Sequence, residues 1–237
     1  DELALLLGMK TVPERIEAYD ISHTAGSDVV GGMVVFRDGK PHRSAYRRFQ
    51  VHGELGQDDT ASMKEVLLRR LGEYEQKKDT GEGFGLLPDL ILLDGGLGQL
   101  HAVEEAMRET GISVPVFGMV KDNHHKTRAL VGGQGEIQIK ATRSVFTLVS
   151  TIQEEVHRFA IDYHRLKQKK AMMSTTLTGI PGIGKARAAA LIRAFGGPNR
   201  IAEATLEQLK ATEGMTASSA EAVYAHYHPT KGIESDE

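Results

Sequence analysis

Two aspartates that are far apart in this 237-residue chain could together hold a metal ion. Asp20 lies within RIEAYDIS, a stretch that otherwise predicts a buried strand, and Asp94 follows the apolar run LILL. An ionised carboxylate inside a sheet is costly unless it is paired or binds a cation. Two close carboxylates repel each other, so either one binds a proton or a divalent ion lies between them. Oxygen ligands of this kind favour Mg²⁺ or Mn²⁺.

Each aspartate also has a plainer explanation. Asp20 could be a core acid whose hydrogen bonds are satisfied, and Asp94 could be a turn residue before Gly95 and Gly96. For either residue alone, we favour that explanation. For the pair, the order of the predicted strands favours the metal site.

The pattern of apolar residues predicts three antiparallel strands, then a helix, a strand, a helix, a strand and a long helix. The three strands are RIEAYDIS, VVGGMVVFRDG and PHRSAYRRFQV, and Asp38-Gly39 forms the tight turn between the last two. This order is that of an α/β, ribonuclease H-like fold, a mixed sheet flanked by helices in which the first strand lies beside the fourth. The two aspartates then meet at one edge of the sheet.

Helical spacing predicts where the helices begin and which side chains they present to the core. The first helix is expected to start at Thr60 or Ser62, which are suitable N-cap residues. The long helix, predicted over about Ser150–Lys170, has an apolar stripe with Gln153, His157 and His164 on its flank. Spacing alone leaves His157 and His164 as equal candidates for the site, and a histidine beside an apolar face more often packs than catalyses.

Composition predicts two domains, residues 1–171 and residues 172–237. In the second, GIPGIGKARAAALI places glycines before an alanine-rich helix. Such a hairpin can present backbone N–H groups to a phosphate, although the same string could be only a tight turn between helices. The layout repeats at TEGMTASSAEAVYAHY, which favours DNA binding by tandem hairpins. The candidate DNA contacts here are Gly182, Gly184, Lys185 and Arg187.

The two hairpins differ in charge. Ser174–Ala202 contains four basic and no acidic residues, whereas Glu203–Glu237 contains two basic and seven acidic residues. Glu213 also lies where a phosphate would approach the second hairpin. We therefore expect the first hairpin to carry most of the phosphate binding and the second to act mainly in packing.

The overall composition limits the partners of the chain. A net charge of −3 gives no global basic field, so contacts with nucleic acid must come from local patches. One such patch is the loop KDNHHKTR, where Lys121 and Lys126 are as consistent with solvated charges as with contacts to a DNA strand. The absence of cysteine excludes disulfides and thiolate zinc sites and fits a cytoplasmic protein. No apolar run reaches membrane-spanning length, so we expect no membrane partner.

Five segments in collinear order resemble the C-terminal half of UvrC, the excinuclease family of bacterial nucleotide excision repair. They are RIEAYDISHTAGSDVVGGMVVFRDGKPHRSAYRRF, PDLILLDGGLGQLHAV, KDNHHKTR, EEVHRFAIDYHR and LTGIPGIGKARAAALIRAFGG. The resemblance implies a ribonuclease H-like endonuclease domain whose Asp-Asp-His constellation falls on Asp20, Asp94 and His157. It also implies that tandem helix-hairpin-helix motifs follow this domain and bind DNA.

In that family, segments that precede this region make the 3′ incision and dock onto the UvrB–DNA complex. The resemblance therefore implies for this chain the 5′ incision beside damage in double-stranded DNA. Asp20 and Asp94 would hold Mg²⁺ or Mn²⁺, and His157 would be a third ligand or a proton shuttle, with one ion or two left open. Two alternatives are a nuclease-inactive DNA-binding module and a ribonuclease that acts on RNA–DNA hybrids.

Overall fold

The computed structural model of the chain describes residues 1–23, 29–51, 58–122 and 127–229, and within residues 163–170 it describes the side chains of residues 165 and 168 alone. The chain divides into two compact units, Asp1–His164 and Arg165–Glu237. The domain boundary expected from composition, after residue 171, lies in the same long helix as this division. No helix among the described residues combines the length and the apolar character that are needed to span a bilayer.

The first unit alternates strands and helices. Its strands are β1 (Arg15–His23), β2 (Val29–Arg37), β3 (Lys40–Pro41), β4 (Arg47–Val51), β5 (Leu90–Leu93), β6 (Val116–Lys121), β7 (Thr127–Gly132) and β8 (Gly135–Gln138). Its helices are α1 (Glu2–Leu6), α2 (Asp59–Lys77), α3 (Leu97–Thr110) and most of α4 (Arg143–Thr178). From β1 to α4 this order follows the predicted one, with the third strand divided into β3 and β4 and with the hairpin of β7 and β8 before α4, while α1 precedes the predicted elements.

The eight strands described for this unit form one mixed sheet in the order β3-β2-β1-β5-β6-β7-β8, and β4 also pairs with β2. Strand β1 runs antiparallel to β2 and parallel to β5, which in turn runs parallel to β6. The prediction that RIEAYDIS and LILL form neighbouring strands is therefore confirmed. It places the ends of β1 and β5 side by side.

Helices cover both faces of the sheet, and each face has its own hydrophobic core. Helices α2 and α3 pack on the face that holds Tyr19 and Leu93, whereas α1 and α4 pack on the face that holds Ala18 and Leu92. Since successive side chains of a strand point to opposite faces, β1 and β5 are buried on both sides. An acid on either strand therefore needs a partner or a cation.

Glu17 shows how this sheet satisfies a buried acid on the face covered by α2. Both carboxylate oxygens accept hydrogen bonds from the guanidinium of Arg70, at 2.9 and 3.1 Å, and one of them also accepts from the hydroxyl of Tyr19 at 2.6 Å. Arg70 in turn donates to the carbonyl of Phe84 at 3.0 Å. The pair therefore ties β1 to α2 and to the segment before β5.

The third predicted strand is broken in the structure. The stretch PHRSAYRRFQV forms β3 and β4, which are separated by a 3₁₀ turn at Arg43–Ala45. β3 pairs with the end of β2 and β4 with its beginning. The ladder continues one residue past Pro41, since the N–H of His42 donates to the carbonyl of Val35 at 2.7 Å, and the 3₁₀ turn then interrupts it.

Two helices have boundaries that differ from the predicted ones. Helix α2 begins after Asp58, whose carboxylate accepts the N–H of Thr60 at 2.9 Å, so neither Thr60 nor Ser62 is the N-cap. An aspartate is as good a cap as serine or threonine. Helix α4 extends beyond the predicted Ser150–Lys170 at both ends, since no glycine or proline interrupts it before Gly179.

The second unit contains the end of α4 and four further helices with a separate hydrophobic core. They are α5 (Lys185–Phe195), α6 (Pro198–Ala202), α7 (Leu206–Lys210) and α8 (Ala217–Tyr227). Gly182 and Gly214 have φ angles of +81° and +78°, and each lies two residues before an N-cap, Gly184 for α5 and Thr216 for α8. The same turn thus precedes both helices, and the predicted repeat of the hairpin is confirmed.

Candidate active site

Strand pairing places the two candidate aspartates next to each other. Tyr19 of β1 lies opposite Leu93 of β5, so Asp20 and Asp94 follow at adjacent positions on neighbouring parallel strands. The N–H of Asp94 still donates to the carbonyl of Tyr19 at 2.8 Å, which extends the ladder to this point. Both carboxylates lie on the face that α4 covers, because they alternate with Tyr19 and Leu93 on the other face.

Helix α4 approaches the sheet closely beside Asp20 because small residues face each other there. Gly32 of β2 pairs with Asp20, and a Cβ atom at Gly32 would lie 3.3 Å from the Cβ of Ala160. Ala160 is fully buried. His157 lies three residues earlier on α4, hence on the same side of the helix. The contact between Gly32 and Ala160 therefore sets how near His157 comes to the acids.

His157 completes a cluster of three potential metal ligands. Its Nδ1 lies 3.0 Å from Oδ2 of Asp20 and 3.6 Å from Oδ2 of Asp94. One ligand atom from each of the three residues lies within 4.8 Å of the others, and this is the one such cluster found in the described ranges. The side chains of Asp20 and Asp94 are 8% and 3% exposed, whereas that of His157 is 53% exposed. The acids are thus buried and the imidazole faces solvent.

The negative charge of Asp20 is only partly compensated by the groups around it. Burial and the neighbouring carboxylate of Asp94 raise the pKa of Asp20 to about 6, and the hydrogen bond with His157 only partly opposes this shift. A raised pKa means that the folded protein disfavours the ionised carboxylate. A divalent cation beside both acids would remove that penalty, so the three residues fit a metal site.

Asp94 has two further partners. Its carboxylate lies 2.8 and 2.9 Å from the ammonium group of Lys121, at the end of β6. Its Oδ1 also accepts a hydrogen bond from Nε2 of Gln153 at 2.8 Å, and the hydroxyl of Thr127 donates to the other end of the Gln153 amide. Lys121 was predicted as a DNA contact, and the structure places it against a candidate metal ligand instead of in open solvent.

A cavity of about 400 Å³ opens beside these groups. Its walls include Lys121, Gln153 and His157 from the site, together with Phe146 and Glu154 from α4. A substrate group in this cavity would meet the ammonium, the amide and the imidazole at once. The cavity therefore reaches the cluster at His157, whereas the buried side chains of Asp20 and Asp94 do not line it.

The predicted DNA contacts of the second unit cluster around its first hairpin. Gly182, Gly184 and Lys185 are exposed at the start of α5, where no side chain caps the helix. Arg187 also makes contacts within the unit, because its guanidinium donates to the carbonyl of Gly182 at 2.6 Å and to that of Gly214 at 2.8 Å. It links the two hairpins, which its position in the sequence did not reveal.

Two residues named in the sequence analysis cannot be assigned a contact. Lys126 and the side chain of His164 lie outside the described residues. Gln153, by contrast, touches the site, whereas the sequence indicated only that it shares the flank of α4 with His157. Its spacing of four residues from His157 was the available signal, since such residues are neighbours on a helix.

Family models match both units. One described as "UvrC RNAse H endonuclease domain" matches residues 4–161, and one described as "SAM-like Helix-hairpin-helix tandem" matches residues 174–226. The first match covers more than half of the chain. The chain belongs to the UvrC family. The predicted fold class, a ribonuclease H-like mixed sheet followed by a tandem helix-hairpin-helix domain, is confirmed.

Curated relatives are similar along nearly the whole chain. A protein named UvrABC system protein C from Thermoanaerobacter sp. (strain X514) is 49% identical over 95% of this chain, and one from Clostridium acetobutylicum is 41% identical over 98%. In both cases the match covers 38% of the relative. The chain thus spans well under half the length of these UvrC proteins.

Two solved structures resemble part of this chain at low sequence identity. The crystal structure of human ENDOV has a TM-score of 0.40 and 10% identity and covers 66% of this chain and 86% of that chain. A structure of Ciona intestinalis Endonuclease V with a DNA that contains inosine has a TM-score of 0.33 and 18% identity, covering 46% of this chain and 47% of that one.

The raised pKa of Asp20 predicts a pH-dependent stability in the presence of a metal chelator. An acid whose pKa is about 6 in the folded state and about 4 in the unfolded state stabilises the fold at low pH and loses that contribution as the pH rises through 6. Asp20→Asn removes this loss. We expect the variant to be more stable than the wild type by about 2 kcal/mol near pH 7.5, and the difference to shrink towards pH 4.5.

Chemical denaturation at both pH values measures this difference. Asp162→Asn is the matched control, because Asp162 lies on α4, is partly exposed and pairs with Arg158. A gap between wild type and Asp20→Asn that does not change with pH would contradict the assignment.

The close approach of α4 predicts a specific effect of Gly32→Ala. The added Cβ would press on Ala160 and move His157 away from Asp20 by a few tenths of an ångström. We expect the affinity for Mn²⁺, measured by calorimetry, to fall by roughly tenfold, because metal sites tolerate only small displacements of a ligand. Ala160→Gly in the same chain removes the clashing methyl group and should restore the affinity.

The neighbouring glycine provides the control. A Cβ at Gly31 would meet the side chain of Val66 at 2.6 Å, on the face covered by α2. Gly31→Ala should therefore lower the melting temperature and leave Mn²⁺ affinity close to that of the wild type. Equal losses of affinity in both variants would mean that general destabilisation, and not the position of His157, is responsible.

Proposed function

We propose that this chain is a metal-dependent DNA endonuclease that makes the 5′ incision beside damage in bacterial nucleotide excision repair. The observation that carries the proposal is the cluster of Asp20, Asp94 and His157, which lies beside a cavity that His157 lines together with Lys121 and Gln153. Membership of the UvrC family supports it. The Thermoanaerobacter relative carries the name UvrABC system protein C, and its role in excision repair is proposed for this chain, which matches 38% of its length.

In the proposed mechanism, Asp20 and Asp94 would hold Mg²⁺ or Mn²⁺. When bound, such an ion neutralises phosphate charge and lowers the pKa of a water molecule. Hydrolysis forms a bond between the water oxygen and phosphorus, breaks the bond to the leaving oxygen, and returns a proton to that oxygen. His157 is either a third ligand or the group that passes a proton between the site and solvent, to which its ring is exposed.

The residues around Asp94 keep its carboxylate in a fixed orientation. Gln153 holds one oxygen, and its own amide oxygen accepts a hydrogen bond from Thr127 on β7. Because Gln153 and Thr127 are buried, rotation of the carboxylate would break hydrogen bonds that are costly to lose. These two residues act by positioning Asp94.

The second unit is proposed to bind the DNA duplex, mainly through its first hairpin. At the start of α8, Thr216 and Ser219 satisfy each other's backbone N–H groups at 3.2 and 2.8 Å. At the start of α5, Gly184 supplies no side-chain acceptor, so the N–H groups there can meet a phosphate. Contact with a UvrB–DNA complex is proposed to require the parts of UvrC proteins that lie outside the matched region.

Substitution of the three clustered residues tests the proposed activity. Asp20→Asn, Asp94→Asn and His157→Ala should each lower the rate of duplex nicking by about two orders of magnitude or more, with DNA affinity nearly unchanged. The wild type should require Mg²⁺ or Mn²⁺. The assay offers a damage-containing duplex and an RNA–DNA hybrid side by side.

Asp162→Asn and His164→Ala are the controls on the same helix, and both should nick at close to the wild-type rate. If any of the three cluster variants nicks normally at saturating metal, that residue is wrongly assigned. Preferential cutting of the hybrid would show that RNA–DNA hybrids, and not damaged duplexes, are the substrate. If no metal supports nicking, the chain is a DNA-binding module without nuclease activity.

A salt titration of DNA binding tests the asymmetry of the hairpins. Lys185→Ala should lower the slope of log K against log salt by about one unit, since one fewer phosphate is neutralised. Lys210→Ala, in the acidic half, should leave the slope unchanged, because this lysine pairs with Glu221 at 3.1 Å. Equal changes in both slopes would show that both hairpins grip DNA.

The glycines allow binding and folding to be separated in the same titration. Gly184 has an ordinary φ of −86° and no neighbour within 4 Å of an added Cβ, so Gly184→Val should weaken DNA binding without lowering the melting temperature. Gly182 and Gly214 both have positive φ angles. Substitution of either by valine should destabilise the unit, and neither is a clean probe of phosphate contact.

A further inference from the structure

Lys121 is unusual because its ammonium group lies against a candidate metal ligand. Both oxygens of Asp94 are within 2.9 Å of its Nζ, and the lysine side chain is 32% exposed. A cation in this position competes with any metal ion for the same carboxylate. A lysine that only held DNA would gain nothing from this contact.

The arrangement leaves little room for a second metal ion. In two-metal phosphodiester hydrolysis, a pair of ions stabilises the attacking and the leaving oxygens together. Here Oδ1 of Asp94 already accepts from Gln153 and Lys121. Glu154 lines the adjacent cavity but is not part of the ligand cluster found among the described residues. One divalent ion would balance the two aspartates, and Lys121 would then give the site an excess positive charge.

We propose that Lys121 is a catalytic residue whose ammonium group takes the place of a second metal ion and contacts the phosphate that is cleaved. This inference rests on the proposed nuclease function. The cavity supports it, because Lys121 and His157 both line the space that a phosphate would enter. Charge that develops on the phosphate oxygens during hydrolysis is stabilised by a fixed cation at that position.

This role predicts opposite effects on metal binding and on cleavage. Lys121→Gln removes the charge while keeping an N–H donor for Asp94. Without the competing cation, the affinity for Mn²⁺ should rise by about tenfold in calorimetry. Single-turnover nicking at saturating DNA and metal should fall by about a hundredfold. Lys121→Arg keeps the charge and should retain the wild-type Mn²⁺ affinity and a substantial part of the rate.

Other roles for Lys121 give different results. If it only holds Asp94 in position, Lys121→Gln changes neither measurement, and if it only anchors DNA, the variant loses DNA affinity while its rate at saturation is unchanged. Either result would overturn the proposal. So would two Mn²⁺ ions bound per wild-type chain, counted by calorimetry.

Lys140→Ala is the control, because Lys140 pairs with Asp122 at 3.3 Å and does not line the cavity beside the cluster. It should change neither Mn²⁺ affinity nor nicking. Calorimetry needs no DNA, so the two proposals can fail separately. A wild type that binds one Mn²⁺ but never nicks contradicts the nuclease function, whereas a wild type that nicks and a Lys121→Gln variant that binds Mn²⁺ more weakly contradict the role of Lys121 alone.

Discussion

The repulsion between two buried carboxylates is the constraint on which the rest of this site depends. Asp20 and Asp94 are held side by side because they end adjacent parallel strands, and neither can move away without breaking the sheet. Lys121 and the hydrogen bond with His157 compensate only part of the negative charge of the two carboxylates. The negative charge that remains favours the binding of a divalent cation, and phosphodiester hydrolysis uses such a cation.

A comparison of two acids on β1 shows that the uncompensated negative charge lies on the face that α4 covers. Glu17 lies three residues before Asp20 on the same buried strand, and its carboxylate is fully paired with Arg70 and Tyr19. That pair serves stability and connects β1 to α2. The sheet can therefore neutralise a buried acid with its own side chains. At Asp20 it does so incompletely, which is why the pKa of Asp20 is raised.

The sequence predicts that β1 and β5 lie side by side and that Asp20 and Asp94 meet at their ends, because both follow from strand periodicity and from one topological rule. Periodicity could not separate His157 from His164, and the resemblance to UvrC proteins was needed to choose between them. The ion pair of Lys121 and the hydrogen bonds of Gln153 depend on how far α4 and β6 reach, which spacing does not encode. The hydrogen bonds of Arg187 could not be predicted either, since one of its two carbonyl partners, Gly214, lies 27 residues further along the chain.

The cluster draws its members from three distant parts of the chain, and 137 residues separate the hydrogen-bonded pair of Asp20 and His157. Local folding cannot assemble it, because isolated strands or a preformed α4 hold no more than one member each. Contacts of such high sequence separation form late, after most of the loop-closure entropy has been lost. A partly folded chain therefore has no complete site, so the proposed nuclease activity would appear only once the domain has reached its native topology.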